Sequence, residues 1–404
     1  MKVLHTSDWH LGQQFYEHSR HAEHQFFLDW LCNTLTSHQI DVLIVSGDIY
    51  HSATPSAMAE QQLYAFIRRA KTDNPNLHIV ITAGNHDSAN RIETAKPLLS
   101  QFDTHVVGRF DKHTPQDVVK TLSTANGTLQ VVAMPFLRSA DLEAQADDPQ
   151  AYQRGVARAY QAAYQTLDAQ LPVLAMGHLH AKGGSISGDS ERNITIGGFD
   201  AITADVFGER PDYVALGHLH KAQKVAGSEA IRYCGTPLPM SFSERNYRHQ
   251  VLLVEFTNNA LSSVKPLDVP RLKQVILLPE RGGATLDELM ALLSELDLSQ
   301  YQDTATPYLR LRLNASETDS QFRHKIEQAL TDKPVHFCGI ERVSNTQQAT
   351  DEPHFEDLGQ VEKLEPVSLL ELAYRAQIDS EQAVPQALQD CLMQVLASVQ
   401  EQEA

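Results

Sequence analysis

A chain of 404 residues is too long for one ordinary hydrophobic core, so two or three domains are expected. With 42% hydrophobic and 21% charged residues it has the composition of a soluble globular protein, and its longest apolar runs, such as 251–254 and 275–278, fall far short of the roughly 20 residues a bilayer span needs. A net charge of −18 argues against unaided capture of a long polyanion: either the substrate is something else, or metal ions and a partner supply the positive charge.

At the start of the chain, Lys2 is followed by His5, Ser7 and Asp8 rather than by an apolar region, so no secretory leader is read and the cytoplasm is the expected compartment. Short apolar runs predict strands over 2–6, 42–46, 77–82, 129–134, 173–176 and 213–216. Between them, apolar residues at three- and four-residue spacing predict helices over 24–35, 57–70 and 152–167. This is the alternation of an α/β domain. Runs at 230–234 and 251–256 arrive without helices between them and suggest antiparallel strands, so two layers of sheet with helices outside are expected over residues 1–270. The Gly- and Ser-rich loop 181–193 follows directly on His180 and is expected beside whatever that region binds.

Past Pro270 the pattern becomes strand 274–278, helix 285–296, strand 308–313, helix 320–330 and strand 335–342, a small α+β domain over 271–343. A polar, acidic linker from 344 to 359 then leads to helical spacing over 366–377 and 384–399, whose apolar stripes must be buried against this chain or another. From 341 onward there are 13 acidic residues against three basic ones, more than half of the chain's charge excess. Four cysteines, Cys32, Cys234, Cys338 and Cys391, lie far apart without a C-x-x-C pair and read as reduced and mostly buried.

Five predicted strand ends carry metal-type ligands: Asp8 with His10; Asp48; Asn85, His86 and Asp87; His178; and His218 with His220. Any one of them alone reads as a polar turn. Together they lie where ligands bind in α/β sheets, beyond the carboxyl ends of the strands. Carboxylate, amide and imidazole donors without thiolate favour a hard-to-borderline cation such as Mn²⁺, with Zn²⁺ and Fe²⁺ possible.

These residues resemble the calcineurin-like metallophosphoesterase family, whose D-x-H, G-D, G-N-H-D/E, G-H and G-H-x-H motifs occur here in order: Asp8-Trp9-His10, Gly47-Asp48, Gly84 to Asp87, Gly177-His178 and Gly217 to His220. LHTSDWHLGQ at 4–13, GTPLPMSF at 235–242, the small domain and the helical tail extend the resemblance to the D-subunit nucleases of bacterial SbcCD complexes, across nearly the whole chain. What this resemblance implies is a two-layer β-sheet nuclease domain flanked by helices, a small α+β capping domain, and C-terminal helices that dock on an ABC-type ATPase partner (SbcC-like). It further implies a homodimer within a heterotetramer, two divalent ions, and single-strand endonucleolytic and double-strand exonucleolytic cutting of DNA in repair and recombination.

Carried over by motif, Asp8, His10, Asp48 and His220 would hold one ion, and Asp48, Asn85, His178 and His218 the other, with Asp48 bridging. Such a pair serves to activate a water and stabilise the leaving oxygen of an in-line displacement. His86 would face the phosphate as acid or electrostatic stabiliser, with Asp87 orienting its ring; the alternative for Asp87 is a helix N-cap. His180 is expected beside the ligands or at the surface, and His51 either reaches the substrate or is a loop residue. Trp9, Phe15 and Tyr16 are either base-stacking aromatics or core, Trp9 being assigned to the core. Competing functions are a small-molecule or phosphoprotein phosphatase on the same centre, which would not need the 130-odd residues after Pro270, and a metal-free scaffold, against which the complete ligand set counts.

Overall fold

The computed structural model describes residues 1–142, 150–182, 201–301, 303–344 and 385. The expected linker beyond 344, the helices expected at 366–377 and 384–399 (Pro385 apart), most of the loop 181–193 and Cys391 lie outside these residues. Two compact units are present among the described residues: Met1–Leu277 with Asp297–Arg310 and Asp332–Gly339, and Leu278–Leu296 with Leu311–Thr331 and 340–344.

The first unit is built on two six-stranded sheets. In one, Lys2–Thr6 lies parallel to Val42–Ser46, which is followed by His78–Thr82 and Thr104–Val107, also parallel. Gln250–Thr257 closes its other side antiparallel to Lys2–Thr6, with Ala260–Asp268 beyond it as the edge. In the second, Val173–His178 and Tyr213–Gly217 are parallel neighbours, flanked by Gly127–Ala133 and Val119–Thr124 on one side and by Ile231–Tyr233 and Gln223–Lys224 on the other.

Alternation along the strands decides what each face meets. Val3, Val42, Ile44 and Val80 join Val131, Leu174 and Leu216 in a core between the sheets. Their neighbours Leu4, Leu43, Val45, Ile79 and Ile81 turn to the opposite face, against Phe27, Leu31, Leu63 and Ile67 of the helices His21–Ser37 and Ala57–Asp73. Both faces are covered, which is why these strands read as continuous apolar runs. Truncating one such side chain to alanine would cost about 2–5 kcal/mol. The outer face of the second sheet is covered by helix Ala151–Tyr164 through Tyr152, Val156, Ala159 and Tyr160.

The predicted strands and helices of this unit are present, and two layers of sheet with helices outside are borne out. One expectation fails. The segment predicted at 230–234 is antiparallel only to the two-residue strand Gln223–Lys224; it runs parallel to Tyr213–Gly217, because the chain turns back in that short strand before re-entering the sheet. Three strands longer than two residues went unread: Thr104–Val107, Val119–Thr124 and the edge strand Ala260–Asp268, which carries Pro266 and has no fully buried residue to mark its period. Trp9 is fully buried, edge-on to Phe27 and Phe66, and Phe15 is buried with Phe242, Leu277 and Tyr308; only Tyr16, 41% exposed, remains at the surface, its hydroxyl accepting from Arg310.

Beyond residue 270, Val275–Leu278, Tyr308–Asn314 and His336–Val343 form a three-stranded sheet with Tyr308–Asn314 central. In the second unit, helix Leu286–Glu295 starts in a capping box between Thr285 and Glu288 and buries Leu286, Leu289 and Leu293 at helical spacing. Helix Phe322–Leu330 buries Ile326 and Leu330.

Candidate metal centre

The carboxyl ends of Lys2–Thr6, Val42–Ser46, His78–Thr82, Val173–His178 and Tyr213–Gly217 converge, and all nine expected site residues lie there. The loops after the first two strands run side by side, joined by backbone hydrogen bonds from Asp8 to Gly47, His10 to Asp48 and Leu11 to Ile49 (2.9–3.0 Å). Asp8, His10 and Asp48 each adopt a left-handed backbone, φ 54°, 47° and 51°, and His218 lies at φ 104°. Non-glycine residues rarely adopt such angles, and each costs of order 1–3 kcal/mol unless the surroundings enforce it. Here the strained positions are the ones whose side chains must turn inward. Gly84 permits the convergence, since a Cβ there would collide with the Asp48 carboxylate.

Asp48 is central. Its Oδ2 lies 3.4 Å from His178 Nε2, 3.7 Å from His10 Nε2 and 4.0 Å from His86 Nε2, while its Oδ1 accepts the His86 backbone N–H at 2.8 Å. Among the described residues, three groups of three side chains have ligand atoms close enough to share an ion: Asp8, His10 and His220; Asp8, Asp48 and His178; and His10, His51 and His86. Asn85 joins the second, its Oδ1 2.9 Å from His178 Nε2. His218 is in none of them; its backbone N–H is held by Asp8 and its ring centroid is 5.5 Å from that of His178.

Do these residues fit a cation? His178 Nδ1–H donates to the Ser46 carbonyl at 2.9 Å, so in the neutral ring the Nε2 lone pair faces two further acceptors, Asn85 Oδ1 and Asp48 Oδ2. Lone pairs converging in a buried place require a positive charge between them, which a cation supplies and, without one, a proton on His178 Nε2. His10 makes the same demand: it is buried, and neither ring nitrogen has a hydrogen-bond partner. Leaving a buried polar group unpaired costs about 1–3 kcal/mol, which a coordinated ion removes. The donor set of carboxylate, amide and imidazole suits a divalent cation.

Electrostatics reflect the same crowding. Burial drives the His178 imidazolium down, but Asp48 and Asp8 outweigh it and hold its pKa near 9. Burial, with Asp48 adding, lifts Asp8 to about 6 against the pull of His178. His10 and His218 are driven well below the usual imidazole range, chiefly by burial.

His86 Nδ1 donates to the backbone carbonyl of His51 at 2.8 Å. Asp87 does not orient that ring. Its carboxylate accepts three backbone N–H groups, from Gly84, Ile49 and Tyr50 (2.8–3.1 Å), because adjacent residues of a tight turn project in different directions. It is not an N-cap either: Ser88 caps the short helix Ala89–Ile92. Burial first, then Asp48, raises Asp87 to about 7 in spite of those three donors. His51 lies beside His10 and His86, with ring centroids 5.6 and 5.5 Å away, and His180 is 6.3 Å from His218.

Sequence reasoning missed Glu244. This fully buried carboxylate, in the turn Phe242–Asn246, accepts His220 Nδ1–H and the Met240 backbone N–H, both at 2.7 Å. Its only sequence signal is an acidic residue in an otherwise apolar and small-residue run after 235.

Residues 1–222 match the family model described as calcineurin-like phosphoesterase, and residues 271–377 match the one described as type 5 capsule protein repressor C-terminal domain (SbcD_C). The chain is similar to the D subunit of the nuclease SbcCD from Rhodobacter capsulatus, 36% identical over 362 residues that cover 84% of this chain and 87% of that one. The protein of the same name in Escherichia coli K12 is 36% identical over 357 residues, 85% of each chain, and that of Bacillus subtilis 32% identical over 283 residues, 66% of this chain and 71% of that one.

Proposed function

Because the chain belongs to the calcineurin-like phosphoesterases and, among them, to the D-subunit nucleases of SbcCD complexes, we propose that it cleaves DNA phosphodiesters at the converged strand ends, using the residues gathered around Asp48. It is a metal-dependent nuclease subunit, and its fold calls for divalent metal ions. We assign Asp8, His10, Asp48 and His220 to one ion and Asp48, Asn85, His178 and His218 to the other, with Mn²⁺ the ion best matched to oxygen and imidazole donors. When bound, the ions supply Lewis acidity and a water of lowered pKa.

The single observation that carries this assignment is Asp48 Oδ2, which faces the Nε2 atoms of His178 and His10, one from each assigned set of ligands. Glu244 and the Ser46 carbonyl hold the Nδ1 protons of His220 and His178, so that each Nε2 lone pair points inward. With Nδ1–H on the His51 carbonyl, His86 in its imidazolium form carries its second proton on Nε2, the atom that can give it to the leaving oxygen. Asp87 is a positioning residue that ties the loop at Gly84 to the one at Ile49 and Tyr50.

We further propose that residues 1–270 are the nuclease domain, 271–343 a cap, and 344–404 the segment that binds an ABC-type ATPase partner in the cytoplasm. The relatives' name, which describes one component of a larger nuclease, supports a partner, as does the charge of −18, which disfavours gripping DNA alone. No helix among the described residues is long and apolar enough to cross a membrane.

The test is Mn²⁺-dependent cleavage of linear duplex and single-stranded DNA against hydrolysis of p-nitrophenyl phosphate, with metal content measured alongside. Asp48→Ala is expected to abolish DNA cleavage and disperse both ions. Near-normal cleavage with both metals retained in that variant would make the assignment wrong.

A further inference from the structure

Beside the metal centre, on the same edge of the sheets, three strand ends build a cavity of about 200 Å³. His78–Thr82 leads into Gly84 and Asp87, Thr104–Val107 into Gly108 and Arg109, and Gly127–Ala133 into Phe136, Arg138 and Asp141. The cavity thus lies off the carboxyl ends of the strands, as ligand sites in α/β folds do, and shares Gly84 and Asp87 with the centre already described. It is smaller than the roughly 300–1,000 Å³ of a drug-sized pocket, so it suits one base with a phosphate at its mouth rather than a duplex.

Its walls have a defined chemistry. Phe136 is held in place by its backbone N–H, which donates to the Ala83 carbonyl at 2.8 Å, and its half-buried ring stands edge-on to His178, centroids 6.3 Å apart at 87°. Phe136 therefore lines the cavity and borders a metal-ligand candidate at once. Arg109 donates to the neutral Asn90 side chain, a contact that leaves its charge uncompensated. The two carboxylates in the wall are already engaged by N–H groups: Asp141 accepts the Arg138 backbone N–H at 2.9 Å, and Asp87 accepts its three. Gly108 lets the wall close, since a Cβ there would come within 2.5 Å of the Ala89 carbonyl oxygen.

We propose that this cavity is a nucleotide subsite next to the scissile phosphate, in which a base stacks on Phe136 and the next phosphate outward is bound by Arg109 and Arg138. Stacking on an aromatic face tolerates any base, and guanidinium groups match phosphate oxygens in a planar fork. The proposal rests on the nuclease reading above and deepens it: one strand of the substrate is held at single-nucleotide resolution beside the cut.

Three esters with the same leaving group test it on the full chain with Mn²⁺: methyl p-nitrophenyl phosphate, and the p-nitrophenyl esters of thymidine 5′-phosphate and thymidine 3′-phosphate. The readout is the ratio of kcat/KM for the better thymidine ester to that for the methyl ester. Phe136→Ala is expected to lower this ratio by about 5- to 150-fold, the range that base–aromatic stacking gives on alanine substitution. A phosphate added to the far hydroxyl of the thymidine should raise the ratio in the wild type, and not in Arg138→Gln or Arg109→Gln. Equilibrium dialysis of thymidine 3′,5′-bisphosphate, which needs no turnover, should rank the proteins in the same order. A ratio unchanged in Phe136→Ala overturns the proposal, as does a fall shared by all three esters, which would mean that Phe136 acts through His178. Bisphosphate binding unaltered in both arginine variants overturns it too. If the wild type cleaves neither the esters nor linear DNA with any divalent ion, the nuclease reading fails instead, and the dialysis still decides whether the cavity binds a nucleotide.

Discussion

Glu244→Gln asks how much of the metal centre is built by a residue that touches no metal. Glu244 Oε1 takes the Nδ1 proton of His220 at 2.7 Å, which leaves the Nε2 lone pair to face Asp8 and His10. Glutamine keeps the shape and can accept the same proton through its amide oxygen, but without charge, and its NH2 then faces the Met240 backbone N–H that the second carboxylate oxygen accepts, a cost that falls on folding rather than on the metal. A hydrogen bond to a charged group contributes about 1.5–3 kcal/mol and a neutral one about 0.5–1.5, so the exchange weakens this contact by roughly 1–1.5 kcal/mol. Loss of a carboxylate behind a metal-bound histidine typically costs 10- to 100-fold in metal affinity or activity, about 1.4–2.7 kcal/mol. Both routes meet near a tenfold loss for Glu244→Gln. The assay is a Mn²⁺ titration of DNA cleavage, paired with calorimetric binding and a circular dichroism melt to establish folding. Half-saturation should move to about tenfold higher Mn²⁺, with kcat at saturating metal within a few-fold of wild type. A folded variant with unchanged half-saturation and a lower kcat would refute the reasoning, because Glu244 would then be acting on the substrate or on the reaction rather than on His220.

His86→Ala should retain both metals and lose turnover by roughly 10²- to 10⁴-fold, the contribution of a positioned acid or base; metal loss in step with activity would make His86 a ligand. His5 joins the two sheets through the Tyr213 hydroxyl and the Leu216 carbonyl, and burial lowers its pKa from 6.5 to about 3. The unfolded chain therefore binds more protons below pH 6.5, so the stability from neutral His5 is complete above that pH and is lost as pH falls toward 3, at up to about 1.4 kcal/mol per unit. Urea unfolding between pH 5.5 and 4 should show a slope smaller by about one proton in His5→Gln than in wild type, and equal slopes would remove His5 from the acid response. Deleting residues 360–404 should leave a metal-loaded phosphodiesterase active on short substrates while abolishing co-purification with the ATPase partner and ATP-stimulated cleavage of long duplex; a truncated chain that still co-purified would sink the partner assignment.

That the nine expected site residues stand together at the strand ends was legible because local pattern suffices to place them. An apolar run such as Val42–Ser46, buried on both faces, announces a parallel strand whatever its neighbours are, and in such a sheet the residue after the closing glycine falls at the ligand-binding edge. Asp48 after Gly47 and Asn85 after Gly84 could therefore be placed before any strand order was known. The small α+β region was legible for a similar reason, its elements being short, sequential and each marked by its own period.

What a residue type and a local period do not carry is the partner brought from far along the chain. Glu244 reaches His220 only because a turn after residue 241 folds back behind the strand ends; the Ser46 carbonyl orients His178 from 132 positions away, across the two sheets. Asp87 was assigned to its sequence neighbour His86, whereas two of its three partners are backbone groups on the loop at Ile49 and Tyr50, 38 and 37 positions earlier. The direction of Ile231–Tyr233 and the insertion of Gln250–Thr257 beside Lys2–Thr6 were decided in the same way. Sequence by itself determined which groups stand at the strand ends, since burial and strand period are local. Tertiary structure alone decided which of their ligand atoms come within reach of one another and which ring nitrogens of His178 and His220 are left facing Asp48 and Asp8, since those depend on hydrogen bonds that exist only once the sheets have packed.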